Sequence, residues 1–131
     1  MLDASVALSW FFDDEHDALS KRSAERVLRE TAIVPALFPA EVANALFFAL
    51  KKQRIPEHGV KAALTHIADL PIRIDSPSFS LEEEIALARR YRLTIYDALY
   101  LALARRQGVA LWTRDVALRR AATAENLEVM A

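Results

Sequence analysis

Between Leu93 and Asp115 the chain reads LTIYDALYLALARRQGVALWTRD, and from Ala98 to Ala104 apolar residues occupy nearly every face a helix has. A surface helix shows one apolar stripe, so an apolar girdle implies a helix packed on both sides. Arg105, Arg106 and Gln107 followed by Gly108 have the composition of a helix end with a glycine just past it. Val109 to Thr113 then predicts a short interior strand, with Asp115 near its carboxyl end. The rest of the chain repeats this alternation in weaker form. Leu2 to Ser5 reads as a strand tail turning into a short helix, and Ala18 to Arg29 as a helix with Lys21, Arg22 and Arg26 facing out. Ile33 to Leu37 is a brief strand bent at Pro35. Pro39 opens a helix over EVANALFFALKK, in the first-turn position that proline favours. Pro56 opens another, ending around Leu70, and PIRID (71–75) alternates as a strand with Ile72 and Ile74 on one face. Ser80 with Glu83 resembles a capping box for LEEEIALARRYR. After Asp115, VALRRAA predicts a short helix and LEVMA a final edge strand. Four or five short strands alternating with six or seven helices predict an α/β fold: a central parallel sheet flanked by helices.

Composition narrows the chemistry. The length, 131 residues, suits one domain spanning 1–131, and 53% hydrophobic residues suffice for a real core. Cysteine is absent, which excludes thiolate metal sites, and His16, His58 and His66 include no pair three or four apart. Two glycines, Gly59 and Gly108, leave no room for a phosphate-cradling loop. No apolar run approaches a membrane span and no signal-peptide layout opens the chain, so no membrane association and a cytoplasmic location are expected. The net charge of -1 gives no global attraction to nucleic acid; any such binding must rest on local patches.

Four acids remain to be explained: Asp3, Glu41, Asp97 and Asp115. Each falls where a strand ends or a helix begins, and each alone can be read as a helix-start acid favoured by orphan amides and the dipole. Thr94 with Asp97 fits a capping box. As a set they resist that reading. Glu41 and Asp97 lie in apolar sequence, where an unpaired charge is costly, and no Lys or Arg sits within a helical turn of Glu41. A divalent cation neutralises such a group, and hard oxygen ligands suit Mg²⁺ or Mn²⁺.

The stretches that carry these acids, MLDASVALSWFFDDE, PAEVANALFFAL, TIYDALYLALA and VALWTRD, resemble the four acidic motifs of PIN-domain ribonucleases. The branch they are most similar to is the VapC toxins of bacterial toxin–antitoxin pairs, and the resemblance covers essentially the whole chain in order. It implies a PIN-like parallel sheet with the acids converging at its carboxyl edge. There they bind Mg²⁺ or Mn²⁺ and activate water for RNA cleavage. Asp3, Glu41, Asp97 and Asp115 are then the catalytic and metal-binding set. Ser5 and Thr113 are polar supports, and Asn44 is a contact to substrate or to the acids. From Arg105 to Arg120 there are five arginines against one acid, which reads either as solvated helix ends or as a phosphate-binding rim; Arg114, beside Asp115, is the first candidate for RNA. Trp10, Phe11 and Phe12 follow Asp3 closely, either to stack a base or to be buried. Phe47 and Phe48 exceed what one helix face needs, so an antitoxin segment or a second copy of the chain, as a homodimer, is expected to cover that surface.

Two other folds or roles fit part of this pattern. A phosphoacceptor receiver domain also carries strand-end acids, but it needs a late lysine, and none follows residue 61. The other is a catalytically impaired PIN fold acting as a binding or regulatory module, against which all four acids being present argues.

Overall fold

A computed structural model of the chain describes residues 1–76 and 81–131. Its strands are β1 (Ala32–Pro35), β2 (Ile72–Asp75), β3 (Leu111–Trp112) and β4 (Val129–Met130). They form two parallel ladders, β1 with β2 and β3 with β4. What joins the ladders is the start of the chain. Leu2 donates its amide to the carbonyl of Ile33 at 3.1 Å, the Trp112 amide donates to the carbonyl of Met1 at 2.9 Å, and the Asp3 amide to that of Trp112 at 3.0 Å. Leu2 therefore lies between the ladders, in a parallel bridge with Trp112 of β3 and hydrogen-bonded to Ile33 of β1. Its brevity is compensated by depth: Leu2 is 2% exposed.

The helices are α1 (Ala4–Leu8), α2 (Ala18–Val27), α3 (Phe38–Lys51), α4 (Glu57–Asp69), α5 (Glu82–Tyr91), α6 (Ile95–Gln107) and α7 (Val116–Ala124). The apolar girdle of α6 has the expected consequence, with Ala98 and Tyr100 through Ala104 all buried. Gly108 ends α6 in the left-handed conformation, φ 61°, where its amide reaches back to the last turn. Pro39 lies in the first turn of α3. α5 packs along α6, and the α6 core meets Val6, Leu46, Leu111 and Leu118 in one hydrophobic cluster.

Parallel strands decide where the chemistry can sit. α1, α3 and α7 each begin just after a strand finishes, so their N-termini gather at the carboxyl edge of the sheet. α6 runs back against the strands to feed β3, which brings its N-terminus to the same edge. Four helix starts, each with unpaired amides and the positive end of a dipole, thus share one side of the molecule.

Some local expectations change. The predicted strand over Val109 to Thr113 pairs only at Leu111 and Trp112, because β4 offers just Val129 and Met130. Asp13–Glu15 form a 3₁₀ turn fastened by Arg54. That guanidinium reaches Asp14 and Glu15, each at 2.7 Å, and lies 4.0 Å from the centre of the Phe12 ring. Ile72 and Ile74 do share a face, but β2 is an edge strand and Ile74 stays 53% exposed beside Phe38, Val42 and Leu64. The Ser80 capping box lies outside the described residues.

Candidate functional site

Asp3 occupies the middle of the carboxyl edge and is the most enclosed of the four acids, at 8% exposure. It caps α1. Its Oδ2 accepts hydrogen bonds from Ser5 Oγ at 2.7 Å and from Thr113 Oγ1 at 2.6 Å. Those hydroxyls are themselves held by the backbone after β3: the Arg114 amide donates to Ser5 Oγ at 3.2 Å, and the Asp115 amide to Thr113 Oγ1 at 3.0 Å. Two relays of amide, hydroxyl and carboxylate thus tie the first residues of the chain to the end of β3. Burial raises the Asp3 carboxyl above its ordinary value, and the charge of Asp97 adds to the rise, against the lowering from Thr113 and Ser5.

Glu41, in the first turn of α3, is half-buried. The hydroxyl of Tyr100, a residue 1% exposed on α6, donates a short hydrogen bond to its Oε2. Burial also raises Glu41, and the charges of Asp3 and Asp97 raise it further. Burial and the adjacent Glu41 together lift the Tyr100 phenol well above its usual value, so it stays a donor. Asp97 lies one turn before Tyr100, half-buried, with Thr94 Oγ1 donating to its Oδ2 at 2.6 Å and the Asp97 amide returning to Thr94 Oγ1 at 3.1 Å. The Thr94 cap read from the sequence is therefore present, but the Asp97 carboxylate takes the Thr94 hydroxyl instead of its backbone amide, and the same carboxylate also faces two others. Asp115 is the outlier. It is exposed and caps α7, with Oδ1 accepting from the Leu118 amide at 2.7 Å, and it joins the group only through Thr113.

Three acids from α1, α3 and α6 therefore interact electrostatically, with Asp115 at their margin. Among the described residues, no Lys, Arg or His forms an ion pair with any of the four. Each has one oxygen held firmly by a protein donor; the second receives at most the 3.4 Å contact from the Ser5 amide to Asp3. Among the described residues, no three acidic or histidine side chains are drawn together to the spacing of a metal cage. The fit to a divalent cation accordingly rests on donor chemistry: hard anionic oxygens, oriented from behind and free of basic neighbours.

The remaining expected residues divide. Ser5 and Thr113 contact Asp3 directly. Asn44 is exposed on α3, in a cleft it shares with Glu41. Arg114 is turned inward: its guanidinium binds Asp17 at 2.8 Å and the carbonyl of Glu15 at 2.7 Å, and its buried Nε has no partner. A contact from Arg114 to RNA requires breaking that pair. Arg105 and Arg106 stand at the far end of α6, paired with Glu83, Glu84 and Glu125. Trp10 donates to Ser23 at 2.9 Å, Phe11 packs edge-on against His66, and Phe12 is buried. The residue missed by sequence reasoning is Tyr100, the donor to Glu41. Tyr100 carried a usable signal, a hydroxyl inside an apolar girdle one turn from an acid.

Comparison with known proteins bears out the fold. The PIN domain family matches residues 1–124. The Ribonuclease VapC1 of Mycobacterium tuberculosis is 36% identical over 113 residues, covering 80% of this chain and 83% of that protein. The Ribonuclease VapC3 of Pyrobaculum aerophilum is 26% identical over 117 residues, covering 88% of each. The crystal structure of PAE2754 from Pyrobaculum aerophilum superposes with a TM-score of 0.71 at 20% identity, over 92% of this chain and 82% of that one, a likeness of fold. With the parallel sheet, the acids at its carboxyl edge and a family match over nearly its whole length, the chain belongs to the PIN domain family.

Proposed function

We propose that this protein is a metal-dependent endoribonuclease, the toxin of a toxin–antitoxin pair, which hydrolyses RNA phosphodiester bonds. The observation that carries the reading is the group of Asp3, Glu41 and Asp97: mutually repelling carboxylates at one sheet edge, with no cation of the protein's own paired to them among the described residues. Such a group is costly unless something positive is to be bound there. Asp3, Glu41, Asp97 and Asp115 would hold Mg²⁺ or Mn²⁺. Bound there, the ion supplies Lewis-acid stabilisation of the phosphate and a water of lowered pKa. The protein's part is orientation. Ser5 and Thr113 fix Asp3, Tyr100 fixes Glu41, and Thr94 fixes Asp97, each from behind the oxygen that would face the ion. Asn44, exposed beside Glu41, offers an uncharged amide to the substrate, and Arg114 would reach it only after leaving Asp17.

The names of the relatives support RNA as substrate, and the surface supports a protein partner. Phe47 and Phe48 on α3 are 55% and 49% exposed and pack edge-on against each other, with the Lys51 ammonium 5.7 Å from the Phe47 ring. An antitoxin segment, or a second copy in a homodimer, would cover this pair. No helix among the described residues is long and apolar enough to cross a membrane.

Incubating the purified protein with structured RNA tests the activity. Cleavage is expected with Mg²⁺ or Mn²⁺, silence in EDTA, and products ending in 5′-phosphate, from attack by water with the 3′-oxygen as leaving group. Cleavage that survives chelation, or a 2′,3′-cyclic phosphate product, overturns the mechanism. RNA binding with no cleavage in either metal transfers the protein to the class of non-cutting binding modules.

A further inference from the structure

Beside the carboxylates lies an open cleft of about 420 Å³ lined by Leu37, Ala40, Glu41, Asn44 and Tyr96. Four of these come from one stripe of α3 and the residue before it, since positions 37, 40, 41 and 44 fall on a single helix face. The opposite wall is Tyr96, in the first turn of α6 next to Asp97. Among the three tyrosines, Tyr91 and Tyr100 give their hydroxyls to Glu125 and Glu41. Tyr96 is different. The residue is 64% exposed, and among the described residues its side chain makes no hydrogen bond, aromatic pair or cation–π contact.

The lining specifies what can enter. A free aromatic face and two apolar residues favour a flat apolar surface, and the Asn44 amide offers both a donor and an acceptor to polar edges. Glu41 repels an anion, so a phosphate is disfavoured here. A flat, uncharged heterocycle with hydrogen-bonding edges meets every one of these conditions, and the volume lies within the range of small-molecule sites.

We propose that Tyr96 is a substrate-binding residue, the stacking platform for a nucleobase next to the phosphate being cut, with Asn44 contacting the edge of that base. The assignment rests on the ribonuclease reading for what brings a base to the cleft. Stacking accepts any base, so Tyr96 supplies affinity while Asn44 supplies whatever base preference the enzyme has.

A nucleoside titration followed by NMR tests the cleft without requiring cleavage. The four ribonucleosides, which carry no phosphate, are added to the whole protein, with ribose 5-phosphate as the probe that lacks a base. The expected result is a saturable upfield shift of the Tyr96 ring protons and movement of the Asn44 side-chain amide with at least one nucleoside, and neither with ribose 5-phosphate. Resonances that stay still, or that respond equally to ribose 5-phosphate, overturn the proposal. Kinetics give the second measurement. Tyr96→Ala should raise KM for a short single-stranded RNA on the order of tenfold, more than it lowers kcat, and Tyr96→Phe should rescue it. An unchanged KM in Tyr96→Ala also overturns the proposal while leaving the ribonuclease reading intact. A protein that never cuts RNA yet passes the titration fails the ribonuclease reading and keeps the base site.

Discussion

The two ends of α6 carry opposite charges and treat them in opposite ways. At its C-terminus Arg105 and Arg106 are surrounded by acids. Arg105 meets Glu83 at 3.3 Å and Glu125 at 3.2 Å, and Arg106 meets Glu84, 1% exposed, at 2.9 Å. At its N-terminus, about 12 Å away by helix rise, Asp97 faces Asp3 and Glu41 with no basic residue paired to any of them among the described residues. Both ends have the sign the helix dipole favours, so the dipole does not explain the difference. One end is a closed ion-pair network and the other a group of like charges held apart from its counter-ions. A fold stabilised for its own sake would neutralise both. The contrast separates charges paired within the structure from charges that, on the proposed reading, await a ligand.

Breaking each end in turn sharpens that contrast, and the largest effect belongs to the acidic end. Asp97→Asn is expected to lower cleavage on the order of 10³-fold, about 4 kcal/mol of transition-state stabilisation. In EDTA it should melt at or above the parent, since relief of repulsion opposes the roughly 0.3–1 kcal/mol of lost dipole interaction. Melting curves with and without Mg²⁺ check it. A variant that melts lower in EDTA yet gains as much from Mg²⁺ as the parent returns Asp97 to the role of a helix cap.

Arg106→Ala should do the reverse. It leaves Glu84 buried without its partner, at a cost of about 3 kcal/mol in urea unfolding, while the specific activity of the folded protein stays at the parent level. Loss of activity in step with RNA affinity would instead make Arg106 part of a phosphate rim.

Tyr100→Phe probes how the acids are aimed. Removing the phenol leaves Glu41 Oε2 without its donor, and losses of such supporting hydrogen bonds weaken metal affinity by about 10–100-fold. Titrating Mg²⁺ against cleavage rate reads this directly; an unchanged midpoint would leave Tyr100 a core residue and no more.

The smallest effects have opposite signs at the two ends. Glu125 is held below the ordinary carboxylate value, first by the Tyr91 hydroxyl and then by Arg105 and Arg90. Its stabilisation is present above the unfolded value of 4.5 and fades as pH falls through the folded one. Glu41 is raised, so the folded protein keeps that proton longer than the unfolded chain does. Its contribution is favourable below 4.5 and is lost as pH climbs through the folded value. In EDTA, the stability of parent minus Glu125→Gln should therefore grow with pH from the acid side towards neutrality. Parent minus Glu41→Gln should shrink as pH rises above 4.5. Two differences of the same sign would erase the distinction between the ends.

Much of this molecule is written locally. The apolar girdle of α6, its stop at Gly108, the proline that opens α3 and the Thr94–Asp97 cap all follow from rules spanning a helical turn or less, and each is found where the sequence puts it. The placing of four acids at element starts is local too, because helix starts prefer acids whatever they do later. What tertiary structure alone decided is which of those acids meet. Asp3 becomes the most buried of them because residues 1–3 slot between two ladders, bringing Ser5 and Thr113, distant in sequence, onto one carboxylate. Tyr100 finds Glu41 across 59 residues, and Arg114 turns to Asp17 instead of outward. Those outcomes depend on strand order and on competition among partners for the same charge. Such competition is settled only when the whole sheet is assembled, since burial determines which pairings water no longer screens.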